Sequence, residues 1–286
     1  MVKTYGELFL DARRALLESE GENAALAAQE LLSLASGKTA AALIADRSLY
    51  ASEEVVHAVE NGVKRLLRGE PLAYIIGQWS FYGMDLTVTP DVLIPRDDTM
   101  AVTDLAIDLL KSMPPAQRVL DLCTGSGCIG LAIAKQIPTA RLTLADISQA
   151  AVRIAKKNAA DLHLTGRANC MVADARKPLP AFFGQFDLIV SNPPYITKQE
   201  MEELPTSVRN YEPHLALDGG EDGLDFYRDI CKNILPSLRD YGWLCLEFGM
   251  GQEQAIEQIL LDAGLQQITF QKDLRGVVRA VKAQKV

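Results

Sequence analysis

The sequence predicts an α/β fold: a doubly wound, mainly parallel sheet whose last strands run antiparallel, preceded by a small all-α bundle. Three observations carry this. From Arg118 onward, short apolar runs rich in branched residues alternate with segments of helical periodicity, the pattern of successive βα units. Two late runs, near Gln267–Gln271 and Val277–Val281, are separated by too short a turn for a crossover and so should pair antiparallel. The first 70 residues show helical spacing only.

Within that opening stretch, Leu8, Ala12, Ala15 and Leu16 mark one apolar stripe, and Ala24, Ala27, Ala28, Leu31, Leu32 and Ala35 a second. A third runs through Val56, Val59, Val63, Leu66 and Leu67; it opens at an N-cap, Ser52, and closes at Gly69 with Pro71 beyond. One-sided helices of this kind make a bundle over residues 1–70, either a structural cap or a module that recognises a partner. Residues 71–92 read as a β-hairpin connector, with strands Trp79–Tyr82 and Asp85–Val88 broken at Gly83. Residues 93–286 form the main domain. A helix after Arg96 carries Val102, Leu105, Ala106 and Leu109 on one face and stops at Pro114-Pro115. Strands then follow at Arg118–Leu122, Arg141–Ala145, Asn169–Ala173, Phe186–Ser191 and Trp243–Glu247. The expected helices between and after them are Ile129–Gln136, Gln149–Leu162, Asp222–Leu238 and Gln252–Ala263. The stretch Thr197–Gly223 is expected to be a long loop, with His214 placed to act in a lid.

Composition excludes several classes. Hydrophobic residues make up 48% of the 286 positions and charged ones 23%, enough for a packed core. The net charge of −8 is divided as −3 over residues 1–70 and −5 over the rest, so no domain has the basic surface that nonspecific nucleic-acid binding requires. No apolar run reaches membrane-spanning length, and the N-terminus lacks a signal-peptide pattern. Five cysteines without a CxxC pair, and three scattered histidines, point to reduced thiols, a cytoplasmic setting and no metal.

Chemistry concentrates in two places. Gly125-Ser126-Gly127-Cys128-Ile129-Gly130 fits G-x-G-x-x-G between a strand and a helix, and Asp146 ends the next strand, where a carboxylate can accept both ribose hydroxyls. Asp121, just ahead of the loop, would repel a pyrophosphate but suits a cationic ligand such as the ammonium and sulfonium of S-adenosylmethionine (SAM). Asp174, at the end of the third strand, can accept from an adenine amino group. The expected cofactor set here is Asp121, Thr124, Gly125, Ser126, Gly127, Gly130, Asp146, Ile147, Asp174 and Ala175.

The second place is Asn192-Pro193-Pro194-Tyr195, directly after an apolar strand. Prolines have no N–H, so this loop offers acceptors and almost no backbone donors. The Asn192 side-chain oxygen and the Pro193 carbonyl can grip both hydrogens of an –NH2 group, while Tyr195 supplies a flat face. That selects a planar nitrogen, either a carboxamide or a nucleobase amine. Asn192, Pro193 and Tyr195 are the candidate catalytic residues, and with Pro194 they form the candidate acceptor site.

These residues resemble the HemK/PrmC protein-(glutamine-N5) methyltransferases. The resemblance runs through Pro71–Gly77, Phe81-Tyr82-Gly83, Val92–Arg96, the glycine loop and Asn192–Ile196. It continues in Tyr211-Glu212-Pro213, Ala216–Leu224, Lys272-Asp273-Leu274 and Arg279. It implies a Rossmann-like SAM-dependent methyltransferase domain, with Gly125 and its neighbours, Asp146 and Asn192 binding SAM and Asn192–Tyr195 also holding the acceptor, behind a helical domain that docks peptide chain release factors. The acceptor would be the glutamine of their Gly-Gly-Gln motif. The implied partner is a protein, with no membrane and no direct nucleic-acid requirement, and the chain is read as a monomer. One departure stands out: after Ile-Pro-Arg the family continues Pro-Glu-Thr-Glu, whereas Asp97-Asp98-Thr99-Met100 follows Arg96 here. Arg96 itself either steers the acceptor or pairs with a carboxylate. The alternatives are a glutamine methyltransferase of a large-subunit ribosomal protein and an exocyclic-amino nucleobase methyltransferase.

Overall fold

A capping box opens the helical unit. Thr4 accepts from the Glu7 backbone N–H, and the Glu7 carboxylate returns the bond to Thr4, satisfying two donors that a helix start would leave free. Helices α1 (Tyr5–Glu20), α2 (Ala24–Ser36), α3 (Ala40–Ala45), α4 (Glu53–Leu67) and α5 (Leu72–Ile76) follow. Ser52 caps α4 as its sequence requires. The first, second and fourth pack around Leu8, Leu16, Leu31, Leu32, Val59 and Leu66, all buried. Gly62 lets α4 approach α2 closely: a Cβ there would lie 2.6 Å from the Leu31 side chain. Ile75 of α5 joins this core, so the compact unit extends to Gly77 and not only to residue 70; Thr206–Tyr211 also belongs to it. The computed structural model describes residues 2–286.

The second unit comprises Gln78–Pro205 and Glu212–Val286. Its hairpin, β1 (Gln78–Phe81) and β2 (Met84–Thr87), is not a free connector: Phe81, Met84 and Leu86 are buried in this unit's core. Asn158 fixes the hairpin, accepting from Thr87 N at 2.8 Å and donating to its carbonyl at 3.0 Å. Next come α6 (Met100–Ser112), β3 (Arg118–Leu122), α7 (Cys128–Gln136), β4 (Arg141–Asp146), α8 (Gln149–Asp161), β5 (Ala168–Val172) and β6 (Phe186–Ser191). The chain ends with β7 (Leu238–Glu247), a helix at Glu253–Asp262, β8 (Leu265–Lys272) and β9 (Val278–Lys285).

The seven-stranded sheet has the order β5-β4-β3-β6-β7-β9-β8. Strands β3 to β7 run parallel to one another, whereas β9 lies antiparallel between β7 and β8. Alternate residues of the central strands serve two cores. Val119, Leu188, Val190 and Cys245 face α6 and α7, while Leu120, Ile189, Leu244 and Leu246 face the other side with Tyr227 and Ile256. Burial on both faces is why these strands read as unbroken apolar runs. The strand order reverses between β3 and β6, and a crevice opens outside their carboxyl ends.

Candidate active site

A cavity of about 990 Å³, counting its open mouth, lies over that crevice. Its walls include Thr124, Gly125, Ser126, Asp146, Ile147, Asp174, Ala175, Asn192 and Pro194, bringing both halves of the expected site together. Gly127, Gly130, Asp121, Pro193 and Tyr195 stand outside the lining.

The glycines of the loop act differently. Gly125 has φ +53°, and a Cβ there would meet only open space. Gly127 caps α7 in the left-handed region at φ +86°. Gly130 is a packing residue, since its Cβ would fall 2.1 Å from Leu144 and 2.9 Å from an Asp121 oxygen. Asn158 donates to the Ser126 carbonyl at 2.8 Å, tying the loop to α8.

Asp121 is fully buried. Its Oδ2 accepts from Thr124 Oγ1 at 2.5 Å and from Gly130 N at 2.8 Å, and its Oδ1 has no partner. Asp121 thus holds the glycine loop from below and stands outside the cavity lining. Burial pushes this carboxyl up to about 7, against the two hydrogen bonds. Asp146 reaches the cavity: its oxygens accept from Gly125 N and Ser148 N, each at 2.9 Å. Each carboxylate oxygen keeps a further lone pair for a ribose hydroxyl. Burial raises the Asp146 pKa in spite of those bonds. At Asp174, burial works against ionisation, but the Arg176 N–H at 2.9 Å and Lys177 at 3.2 Å outweigh it and hold the carboxyl below its usual range.

The loop after β6 is pinned from several directions. Ser191 Oγ donates to the Leu122 carbonyl at 2.7 Å, and Gln252 Nε2 to the Tyr195 carbonyl at 3.1 Å. Ile196 exchanges backbone bonds with Leu217 and Gly219. A Cβ on Gly219 would fall 2.7 Å from the Tyr195 Cα, and one on Gly223 2.3 Å from its carbonyl oxygen. The Asp-Gly-Gly-Glu-Asp-Gly-Leu run is thus a clamp around Tyr195. Pro193 is buried, and the Tyr195 ring is half-buried against the second core, so less of its face is free than the sequence suggested. Burial raises the Tyr195 phenol well beyond its ordinary range.

Arg96 is in the lining and pairs with buried Glu212, whose other oxygen accepts from Ile94 N at 3.3 Å. Of the two roles open to Arg96, this geometry supplies the pairing. In the departing segment, Asp98 meets Arg279 at 3.3 Å and Thr99 accepts from Asn192. The Thr197–Gly223 segment is not an open loop: it forms helices at Lys198–Glu203 and Thr206–Tyr211, and Leu215 and Ala216 of its later turn line the cavity. Sequence reasoning missed Asn158, although a polar residue beside Ala155 and Ala159 on the buried face of α8 was its signal. It also missed Phe226 in the lining and the buried Glu247.

The residues fit an adenosyl sulfonium. Gly125 leaves room at the backbone, Asp146 presents acceptors, and Ile147, Ala151, Ala173 and Ala175 supply apolar walls. Fold and site together define an S-adenosylmethionine-dependent methyltransferase. Residues 100–210 match the Methyltransferase small domain family and residues 7–77 the PrmC N-terminal domain. A release factor glutamine methyltransferase of Geobacter sulfurreducens is 40% identical, over 95% of this chain and 94% of its own length. One of Bradyrhizobium diazoefficiens is 38% identical, over 98% and 96%. A methyltransferase from Pyrococcus furiosus shares the fold at a TM-score of 0.52 and 16% identity, over 79% of this chain and 98% of its own. The chain belongs to the release factor glutamine methyltransferase family.

Proposed function

We propose that this protein transfers a methyl group from SAM to the side-chain amide nitrogen of the glutamine in the Gly-Gly-Gln motif of peptide chain release factors. The observation that carries this reading is the acceptor loop itself. Asn192 stands in the cavity wall, its Nδ2 engaged by Thr99 at 3.3 Å, so that its Oδ1 is the end of the amide left to accept from an incoming –NH2. The names of the relatives support the choice of a protein glutamine over a nucleobase, as does the net charge of −8. The absence of any helix long and apolar enough to cross a membrane, among the described residues, is compatible with work in the cytoplasm, where translation terminates.

An amide nitrogen is a weak nucleophile because its lone pair is delocalised. When bound, SAM supplies a methyl carbon made electrophilic by its sulfonium. Asn192 Oδ1, in the cavity wall, accepts an amide hydrogen, aligns the nitrogen and favours the positive charge that grows on it; the expected second acceptor, the Pro193 carbonyl, belongs to a buried residue outside that wall. The N–C bond forms as the C–S bond breaks, sulfur keeps that electron pair, and the nitrogen then releases a proton to water. Alignment carries the acceleration.

The test is to incubate the protein with methyl-labelled SAM and, separately, a release factor, a large-subunit ribosomal protein, rRNA and DNA, and to locate the label by mass spectrometry. Label on the Gly-Gly-Gln glutamine is expected, whereas label on the ribosomal protein alone or on a nucleobase overturns the reading. Single-turnover transfer by Asn192→Ala should collapse, with SAM affinity near that of the wild type.

A further inference from the structure

Beside Asn192 and Thr99, which line the cavity, lies a buried carboxylate, Glu247, that the acceptor site itself does not use. Glu247 ends β7, and the register that sets Leu246 beside Ser191 brings it next to Asn192. It is 1% exposed, its Oε2 has no hydrogen-bond partner, and Thr99 and Asn192 are the side-chain donors that stand beside its carboxylate and favour its charge. Asn192 Nδ2 also donates to Thr99 Oγ1 at 3.3 Å. A carboxylate only accepts, and a hydroxyl has one proton to give. If Thr99 gives that proton to Glu247, it can only accept from Asn192. Both contacts therefore require the –NH2 end of Asn192 to point inward, which leaves Oδ1 for the acceptor.

We propose that Glu247 is a positioning residue for methyl transfer: through Thr99 and directly, its carboxylate locks the Asn192 carboxamide with Oδ1 presented to the acceptor –NH2. The inference rests on the amide-methylation reading and deepens it. A protonated Glu247 becomes a donor, the Asn192 amide is then free to turn, and an –NH2 group would face an –NH2 group.

The surroundings place this switch in the working range. Burial pushes Glu247 up to about 7, against the bond from Thr99. Asp98 raises it further, while Arg279 and Asn192 lower it. Arg279 cannot serve Glu247 alone, since it also lies 3.3 Å from Asp98 and 3.5 Å from Asp273. The Tyr195 and Tyr227 hydroxyls and the Cys128 thiol are the other titratable groups facing it. The folded pKa is raised, so the competent ionised form builds up as pH rises through about 7 and is lost below it.

The test uses the whole enzyme with a purified release factor at saturating SAM, with kcat, KM for the release factor and Kd for SAM followed over roughly pH 6 to 8. The wild-type kcat should fall on the acid side with little change in SAM affinity. Glu247→Gln should lower kcat by about 10- to 100-fold, the range seen when a supporting partner of a site residue is lost, and should remove the acid limb. Thr99→Val should lose activity in the same direction but less. Wild-type kcat in Glu247→Gln, survival of the acid limb in that variant, or a flat wild-type profile would each overturn the proposal. So would loss of SAM binding in step with kcat, which marks a merely structural role. The wild-type profile needs no substitution, so a variant that fails to fold does not protect the idea. A wild type that never labels the release factor overturns the amide reading itself, and the role of Glu247 with it.

Discussion

Gly125 and Gly130 are five positions apart in one motif, yet they are held to glycine by different physics. At Gly125 the backbone needs φ +53°, a conformation that costs an L-residue roughly 1–2 kcal/mol, and the missing side chain faces open space. At Gly130 the conformation is ordinary helix, but an added Cβ would strike Leu144 and Asp121. Gly125→Ala should therefore lower SAM affinity at least tenfold with about 1 kcal/mol lost from stability. Gly130→Ala should cost more stability, about 1–3 kcal/mol from overpacking, because both neighbours are buried. Urea titration and calorimetry on the two variants check this, and equal stability losses would refute the division. The motif itself was legible in the sequence, as was Asp146. What the sequence could not show is which side of the loop each group occupies. Asp121 looked like a ligand contact because it precedes the loop, and only the packing of Gly130 against it places it underneath.

At the scale of elements, β3 and β6 run over the residues expected of them, Arg118–Leu122 and Phe186–Ser191, because burial on both faces leaves little freedom in where they start and stop. Errors gather where no apolar face guides the reading. The helix Lys198–Glu203 has no buried residue, so periodicity was silent, although Thr197 and Glu200 form a capping box that announced it. The helix expected over 222–238 is a short α-helix that widens into a π-turn and ends in a 3-10 turn at Pro236, whose ring nitrogen cannot continue the ladder. Strand β7 begins five residues early, on exposed Arg239, Asp240 and Tyr241 that carry no strand signal. The clamp over Tyr195 was visible as a glycine-rich string but not as a clamp, since its target lies 24 to 28 residues away along the chain. Gly219→Ala would press on the Tyr195 Cα and carbonyl carbon, backbone atoms that cannot turn aside. A displacement of the acceptor loop by a fraction of an ångström should lower kcat by about tenfold while SAM affinity holds within about twofold. Equal losses in both would show instead that the clamp supports the cofactor side.

For the whole molecule, the carboxyl edge of the sheet sets stability against function. Asp121 and Glu247 are both buried there, and burial raises each to about 7. A raised carboxyl pKa means that the folded state holds more protons than the unfolded chain between about 4 and 7, so these two groups make the fold less stable as pH climbs through that window. Elsewhere the sign is opposite. At Asp222 the Arg228 bond lowers the pKa, and at Asp174 and Asp273 hydrogen bonds and cationic neighbours outweigh burial to do the same; the stability they contribute disappears only as pH falls below the ordinary carboxylate range. The net charge of −8 at neutral pH adds self-repulsion on the alkaline side. Resistance to urea should therefore peak at about pH 5–6 and decline toward neutrality, where an ionised Glu247 brings methyl transfer to its maximum. Asp121→Asn removes one of the two buried charges while leaving the acceptor loop untouched. Relative to the wild type it should gain stability from about pH 4 to about pH 7 and level off above, by several kcal/mol at most, and its kcat should keep the wild-type acid limb. A stability difference independent of pH would mean that Asp121 is ionised in the fold throughout this range, as it is in the unfolded chain, and that the loop is held by a carboxylate.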